Sequence, residues 1–321
     1  MRSPIELLAG KREDTKRDVE DPEKMDFVMK AIKAVRSSTI SRTDIVKEEI
    51  DKMRIESERM SKLVTPMSLI DIHEFNVGEV PCELVRPKFA HRQDKIILYC
   101  HGGGYTNGGL NYARILAEKF ANHTGISVVT FQYRLSPENP YPAAIEDALS
   151  VWDYIMKFGL GARDVILAGD SAGGNLALEL MIRLRELERI LPKALILMSP
   201  WTDMTLTSIS YTTYEDKDPM LSYDYINQAR IAYAGADADY SDPKYSPLYA
   251  QLDDMPPTLV QVGSNEILRD DAEKLVKKLR KSGSMARYEV YPGCWHVFQQ
   301  MPIPKAFQAM DSVKDFINLI M

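Results

Sequence analysis

Residues 168–175 read AGDSAGGN: one serine set among alanines and glycines, between the apolar run DVILAG (164–169) and the stretch NLALELMIRLRELERI (175–190). The run in front has the length and continuity of a buried strand, and the stretch behind has helical spacing. Gly169-Asp170-Ser171-Ala172-Gly173 therefore fits G-x-S-x-G at a strand–turn–helix junction, the context in which that motif presents a nucleophile. Glycines two before and two after Ser171 permit a tight turn and a close crossing of helix over strand. The serine would then stand at a helix N-terminus, where free N–H groups favour developing negative charge. A Gly/Ser-rich connection with no chemistry would look similar, so the rest of the chain has to decide.

Moving outward, apolar strands alternate with helical stretches on both sides of Ser171. KIILYC (95–100) precedes a glycine-rich loop and the helix NYARILAEKFANHTG; SVVTFQY (127–133) precedes AAIEDALSVWDYIMKFG; ALILMS (194–199) follows the serine helix. Between 202 and 256 the rhythm breaks into a segment rich in Tyr, Asp and Pro, then resumes with PTLVQVG (257–263), DAEKLVKKLRKSG, RYEVYPG (287–293) and a C-terminal helix. Strands this apolar, separated by helices, indicate a mostly parallel sheet covered on both faces, an α/β fold. Upstream, IHEFNVGEVPCELVRP reads as two strands about Gly78. Phe27, Val28, Ile32 and Val35, then Ile45, Ile50, Met53 and Met60, mark two amphipathic helices within 1–65. The expected layout is a catalytic domain over 66–201 and 257–321, capped by the helices of 1–65 and the 202–256 insertion.

Composition narrows the function. The 321 residues carry a formal net charge of −6, which argues against nucleic acid or an anionic membrane as partner. No apolar run approaches the roughly 20 residues of a membrane span, and MRSPIELLAGKREDTK has too short an apolar patch for a secretory signal. Cys82, Cys100 and Cys294, odd in number and without metal-ligand spacing, read as reduced thiols of a cytoplasmic protein. Cys294, two residues before His296, reads as a small semi-buried loop residue rather than a nucleophile.

A serine needs a base. Of the five histidines (His73, His91, His101, His123 and His296) only His296 follows Ser171, on the loop leaving the strand that ends at Pro292-Gly293. Open parallel sheets gather their active residues on such carboxyl-end loops. The base needs an acid to orient it, and Glu266 is the first carboxylate after PTLVQVG. Asp270 is the alternative, although it and Asp271 look like first-turn residues of the next helix. His101-Gly102-Gly103-Gly104, directly after KIILYC, can aim backbone N–H groups at a tetrahedral oxyanion. GGGYTNGG is no phosphate loop: it lacks the Lys-Ser/Thr of G-x-x-x-x-G-K-[ST], and Asn107 stands where G-x-G-x-x-G needs its third glycine.

Serine, acid and histidine in that order, with an HGGG loop ahead, resemble the α/β-hydrolase arrangement. HGGGY (101–105), YRLSPENPYPAAIEDA (133–148), GDSAGGNLA (169–177), LMSPWTD (197–203), GSNEILRDDA (263–272) and the region of His296 resemble, more narrowly, the hormone-sensitive lipase family of microbial carboxylesterases. The resemblance spans roughly 70–320. It implies Ser171 as nucleophile, His296 as general base and the N–H groups of Gly103, Gly104 and Ala172 as oxyanion hole. It further implies a cap over acyl and alcohol pockets, no cofactor or metal, a small-molecule ester as substrate, and a homodimer through the edge strand 287–291. His101, Gly102, Tyr105, Asp170 and Trp201 are expected to bind substrate or support the site. Two positions depart from the family pattern: Glu266 stands where Asp is usual, and Ser136 replaces the Ala of YRLAPE. Glu138 is expected to tie down loops near the site; Asp170 either orients the HGGG loop or is a solvated turn residue. The expected activity is hydrolysis of short- to medium-chain carboxylic esters through an acyl-enzyme. The alternatives are a peptidase or amidase with the same triad, or a non-catalytic receptor on the same fold.

Overall fold

In the computed structural model the described residues are 29–30, 50–55, 69–88 and 92–321. Of the expected N-terminal helices, 29–30 and 50–55 are helical; the rest of 1–65 lies outside the described residues.

The apolar runs become the strands β1 (Ile70–Val77), β2 (Val80–Pro87), β3 (Arg92–Cys100), β4 (Ile126–Phe131), β5 (Val165–Asp170), β6 (Ala194–Met198), β7 (Thr258–Gly263) and β8 (Ala286–Tyr291). They form one eight-stranded sheet in the order β1-β2-β4-β3-β5-β6-β7-β8. β1 and β2 make an antiparallel hairpin about Gly78, and β2 is antiparallel to β4; every later pairing is parallel. β4, β5, β6 and β7 are buried along their whole length, which is why they read as unbroken apolar runs rather than alternating ones.

Both faces are covered. On one, α1 (Leu110–Thr124) and α7 (Pro304–Ile320) bring Leu116, Phe120, Val313 and Phe316 against Ile97, Tyr99, Val128, Ile166 and Ile196. On the other, α2 (Ala143–Met156), α3 (Ser171–Glu186) and α6 (Arg269–Lys281) bring Trp152, Leu176, Leu180 and Leu275 against Leu98, Leu167, Leu197 and Val260. Successive strand residues thus serve opposite layers, as the pleat requires. Each such fully buried side chain contributes about 1.5–3 kcal/mol.

The strand order positions the site. From β3 the chain crosses to β4 on one side, then returns to β5 on the other, so the direction of winding reverses at β3. The crevice at such a reversal lies beyond the carboxyl ends of the strands. β3 and β5 are direct neighbours there, Cys100 opposite Gly169, so the loop after Cys100 and the turn after Asp170 emerge side by side. β6, β7 and β8 follow in order and deliver their own loops to the same edge. The 202–256 segment, between β6 and β7, carries the short helix α4 (Ser210–Thr213) and α5 (Tyr223–Ala234), the latter capped by Ser222 Oγ accepting from the Tyr225 N–H at 3.2 Å.

Candidate active site

Ser171 is the first residue of α3 and has φ 52°, the left-handed region that a non-glycine residue enters only under constraint. The constraint is close packing of strand and helix. A Cβ on Gly169 would lie 2.2 Å from the Gly173 carbonyl oxygen, and one on Gly173 would lie 2.2 Å from that of Cys100. Any side chain at either position would push α3 away from β5 and β3. The two glycines of the motif are there for contact, with the strain concentrated on the serine between them.

The glycine loop leaves β3 next to Ser171. Gly103 and Gly104 have φ 115° and 62°, and the turn closes where the Thr106 and Asn107 N–H groups donate to the Gly103 oxygen at 3.1 and 2.9 Å. Asp170 fixes the start of this loop. Its Oδ1 accepts from the Gly102 N–H at 2.8 Å and from the Tyr99 hydroxyl at 2.5 Å, and its Oδ2 accepts from the Tyr112 hydroxyl at 3.2 Å. Asp170 is fully buried, which does not fit a solvated turn residue. Burial raises its pKa to about 6 against the opposing pull of these donors.

His101 is buried, stacked on Tyr133 at 4.2 Å, with Nδ1 2.7 Å from the Gly102 oxygen. It wedges the loop from behind, and burial lowers its pKa to about 4. Tyr105 donates its hydroxyl to Asn175 Oδ1 at 2.8 Å and stacks on Tyr233 at 3.7 Å. Asn175 in turn donates to the Trp201 oxygen at 2.8 Å, and the Trp201 N–H donates to the Ser171 oxygen at 3.0 Å. Tyr105 and Trp201 thus brace the loop and the turn at Ser171.

Glu266 and His296 sit on the loops after β7 and β8, and both are buried. These loops are laced together: the Asn265 N–H donates to the Cys294 oxygen at 2.9 Å, and Ser264 to Tyr291 at 3.0 Å. A residue that sequence reasoning passed over joins them from β6. Ser199 donates its hydroxyl to Glu266 Oε2 at 2.8 Å and accepts from the Val297 N–H at 3.1 Å. Glu266 Oε2 also accepts from the Gly263 N–H at 3.1 Å, while Glu266 Oε1 and His296 Nδ1 are buried without a hydrogen-bond partner. Burial raises the Glu266 pKa well above the usual carboxylate range, and the carboxylate of Asp218 pushes it the same way. Burial lowers that of His296 to about 3, leaving a neutral imidazole. Asp270 is turned elsewhere, accepting from the Ser210 N–H at 3.0 Å at the start of α4.

Two further residues support these loops, Lys119 the one after β8 and Asp218 the one after β7. Lys119 of α1, buried, donates to the oxygens of Gln299 and Met301 at 2.5 and 2.8 Å, and burial lowers its pKa to about 8. Asp218 accepts from the Ile267 N–H at 3.1 Å. Ser199 was findable from sequence, as the first residue beyond a buried strand at the carboxyl edge; Lys119 and Asp218 carried no such mark. Cys294 is fully buried rather than semi-buried, His73 is exposed, His123 lies 3.1 Å from Asp311, and His91 lies outside the described residues. Among the described residues no helix is long and apolar enough to cross a membrane, and no cluster of His, Cys, Asp and Glu is arranged to hold a metal ion.

Residues 97–300 match the alpha/beta hydrolase fold family. An esterase of Acinetobacter venetianus is 35% identical over 261 residues, 81% of this chain and 86% of that protein. An acetyl-hydrolase of Streptomyces hygroscopicus is 34% identical over 273 residues, 84% and 90% of the two chains. Among solved structures, an esterase from the bacterial hormone-sensitive lipase family superposes with a TM-score of 0.86 at 32% identity, covering 95% of this chain and all of the other. EstE5, in a crystal soaked with p-nitrophenyl butyrate, superposes equally well at 29% identity over 94% of this chain and 99% of its own. With the strand order, the strained Ser171 and the adjoining glycine loop, these likenesses establish that the chain belongs to the α/β-hydrolase fold family, within the hormone-sensitive-lipase group of carboxylic ester hydrolases.

Proposed function

We propose that Ser171, His296 and Glu266 form a catalytic triad that cleaves short- to medium-chain carboxylic esters through an acyl-enzyme. The observation that carries this reading is the order of loops along one sheet edge: glycine loop from β3, strained serine from β5, acid from β7 and histidine from β8. His296 takes the hydroxyl proton as Ser171 Oγ attacks the ester carbonyl carbon. The N–H groups of Gly103, Gly104 and Ala172 hold the resulting oxyanion, and one such donor is worth about 3–4 kcal/mol. Collapse expels the alcohol, which receives the proton from His296. Water, activated by the same imidazole, then releases the acid.

The unpartnered Glu266 Oε1 and His296 Nδ1 support the pairing of acid and base. Burial holds each towards neutrality, so proton uptake by His296 favours ionised Glu266, each charge offsetting the other's desolvation. The cap would comprise 202–256 and the helices of 1–65 over the domain 66–201 and 257–321. In support, Tyr225 and Ala229 of α5 pack over Gly104 and, with Ile50 and Met53, line a cavity of about 300 Å³. Met29 packs on the cluster of Trp295 and Phe298. We further infer a cytoplasmic location from the three free thiols, and pairing of two copies along the open edge of β8 at 287–291.

Ser171→Ala is expected to abolish turnover of p-nitrophenyl acetate and butyrate while circular dichroism and melting temperature stay those of the wild type. Retained turnover in a folded variant overturns the proposal.

A further inference from the structure

Arg54, in the helical segment 50–55, is three-quarters covered and makes contacts that neither the triad nor the glycine loop requires in its own sequence. Its Nε donates to the Thr106 oxygen at 2.8 Å and its Nη2 to the Ser136 oxygen at 2.7 Å. The same guanidinium grips Glu138 with both terminal nitrogens, Nη1 to Oε1 at 3.1 Å and Nη2 to Oε2 at 2.9 Å, and Nη1 reaches Asp51 at 3.4 Å. A planar fork of fixed donors suits a carboxylate and two carbonyls at once, which a point charge such as lysine cannot match.

The two carbonyls are not arbitrary. Thr106 belongs to the turn closed on the Gly103 oxygen, and Ser136 is the residue whose N–H donates to the Tyr105 oxygen at 2.9 Å. Arg54 therefore grips the far end of the glycine loop and the strand of chain paired with it, while Asp170 grips the near end at Gly102. Between the two grips lie Gly103 and Gly104, which have no side chains to fix the direction of their N–H groups. The segment that carries Arg54 also places Ile50 and Met53 on the cavity they share with Tyr225 and Ala229, the residues packed on Gly104.

We propose that Arg54 is a positioning residue for ester hydrolysis: it clamps the Thr106 and Ser136 carbonyls so that the N–H groups of Gly103 and Gly104 keep their aim, and it seats the apolar roof formed by Ile50 and Met53 at a fixed distance from them. This rests on the esterase reading of the site. The Arg54 and Glu138 side chains are still 24% and 34% open to solvent, which screens their ion pair to on the order of 1 kcal/mol, so loss of the clamp should disturb the loop more than the fold.

The test compares wild type, Arg54→Met, Arg54→Lys and Arg54→Ala, with Ser171→Ala as control. Arg54→Met is expected to melt within about 3 °C of wild type. Its kcat for p-nitrophenyl acetate should fall about 10-fold or more with KM nearly unchanged, since misaimed oxyanion donors act on the transition state. The ratio of kcat/KM for hexanoate to that for acetate should shift as the roof loosens, and amide hydrogen exchange over 103–107 should accelerate. Arg54→Lys should recover only part of kcat, and guanidinium ion at tens of millimolar should restore turnover to Arg54→Ala. Wild-type kcat in Arg54→Met overturns the inference, with or without faster exchange, as does unchanged exchange over 103–107. If the wild type turns over no ester, the esterase reading fails while the exchange comparison still decides whether Arg54 holds the loop.

Discussion

Replacing Asp170 with Asn removes one ionisable group and little else. The amide keeps an oxygen for the Gly102 N–H and the Tyr99 hydroxyl, and its NH2 can donate to the Tyr112 oxygen in place of accepting from it. What disappears is the penalty of holding a carboxylate charge in a fully buried position, which raises the pKa from 3.8 to about 6. A rise of that size corresponds to about 3 kcal/mol at about 1.4 kcal/mol per tenfold change in affinity for the proton. Because the folded carboxyl binds its proton more tightly than the unfolded one, the native state holds more protons between the two values. Stability from this group is therefore full at acid pH and declines as pH rises through the window. Asp170→Asn lacks that decline. Urea unfolding of both proteins from about pH 4 to about pH 7 should show the wild type's stability relative to the variant falling by about 2.4 kcal/mol, the rest of the change lying below pH 4, because every other titration cancels in the difference. A difference that stays flat, or that grows with pH, refutes the account of Asp170 as a desolvated anchor of the glycine loop.

Ser199→Ala leaves Glu266 Oε2 and the Val297 N–H each short of one bond, and should lower kcat about 10- to 100-fold with a smaller change in KM, measured by steady-state hydrolysis of p-nitrophenyl butyrate. Glu266→Gln should lower kcat/KM and move the acid limb of its pH profile down, because the imidazolium of His296, already disfavoured by burial, loses its balancing charge; a limb that stays in place would show that Glu266 does not face His296. Asp270→Asn should leave kcat within about 3-fold of wild type, since the carboxylate is engaged with α4, and a larger loss than in Glu266→Gln would reassign the acid.

Much of this architecture is local and so is visible in the sequence. Strands covered on both faces are continuous apolar runs, and the parallel sheet follows from their alternation with helices. His296 stands out because no other histidine follows Ser171, and Glu266 because it is the first carboxylate past a buried strand. Observed strand ends differ from the expected ones by one to three residues, as with Arg92 at the start of β3. What stayed hidden depends on folding distant segments together. Asp170 meets Tyr99 and Tyr112 across 71 and 58 residues, and Arg54 meets Glu138 across 84. Nothing near Asp170 says whether it faces water or two buried hydroxyls. Lys119 looks like any helical lysine until α1 is laid against the loop after His296.

The left-handed residues at this edge have a consequence for how the protein can be improved. Tyr105, Ser171, Ser199 and Val297 all have φ between 48° and 59°, and each such residue costs about 1–3 kcal/mol. Glycine would relieve any of them, yet each substitution takes something away: the hydroxyl bonded to Asn175, the proposed nucleophile, the link between the Glu266 and His296 loops, or a buried side chain next to His296. Thermostabilising substitutions compatible with full turnover should therefore come from the opposite edge of the sheet and from the outer surfaces of α1 and α7. The catalytic edge is already at its own compromise between rest and work.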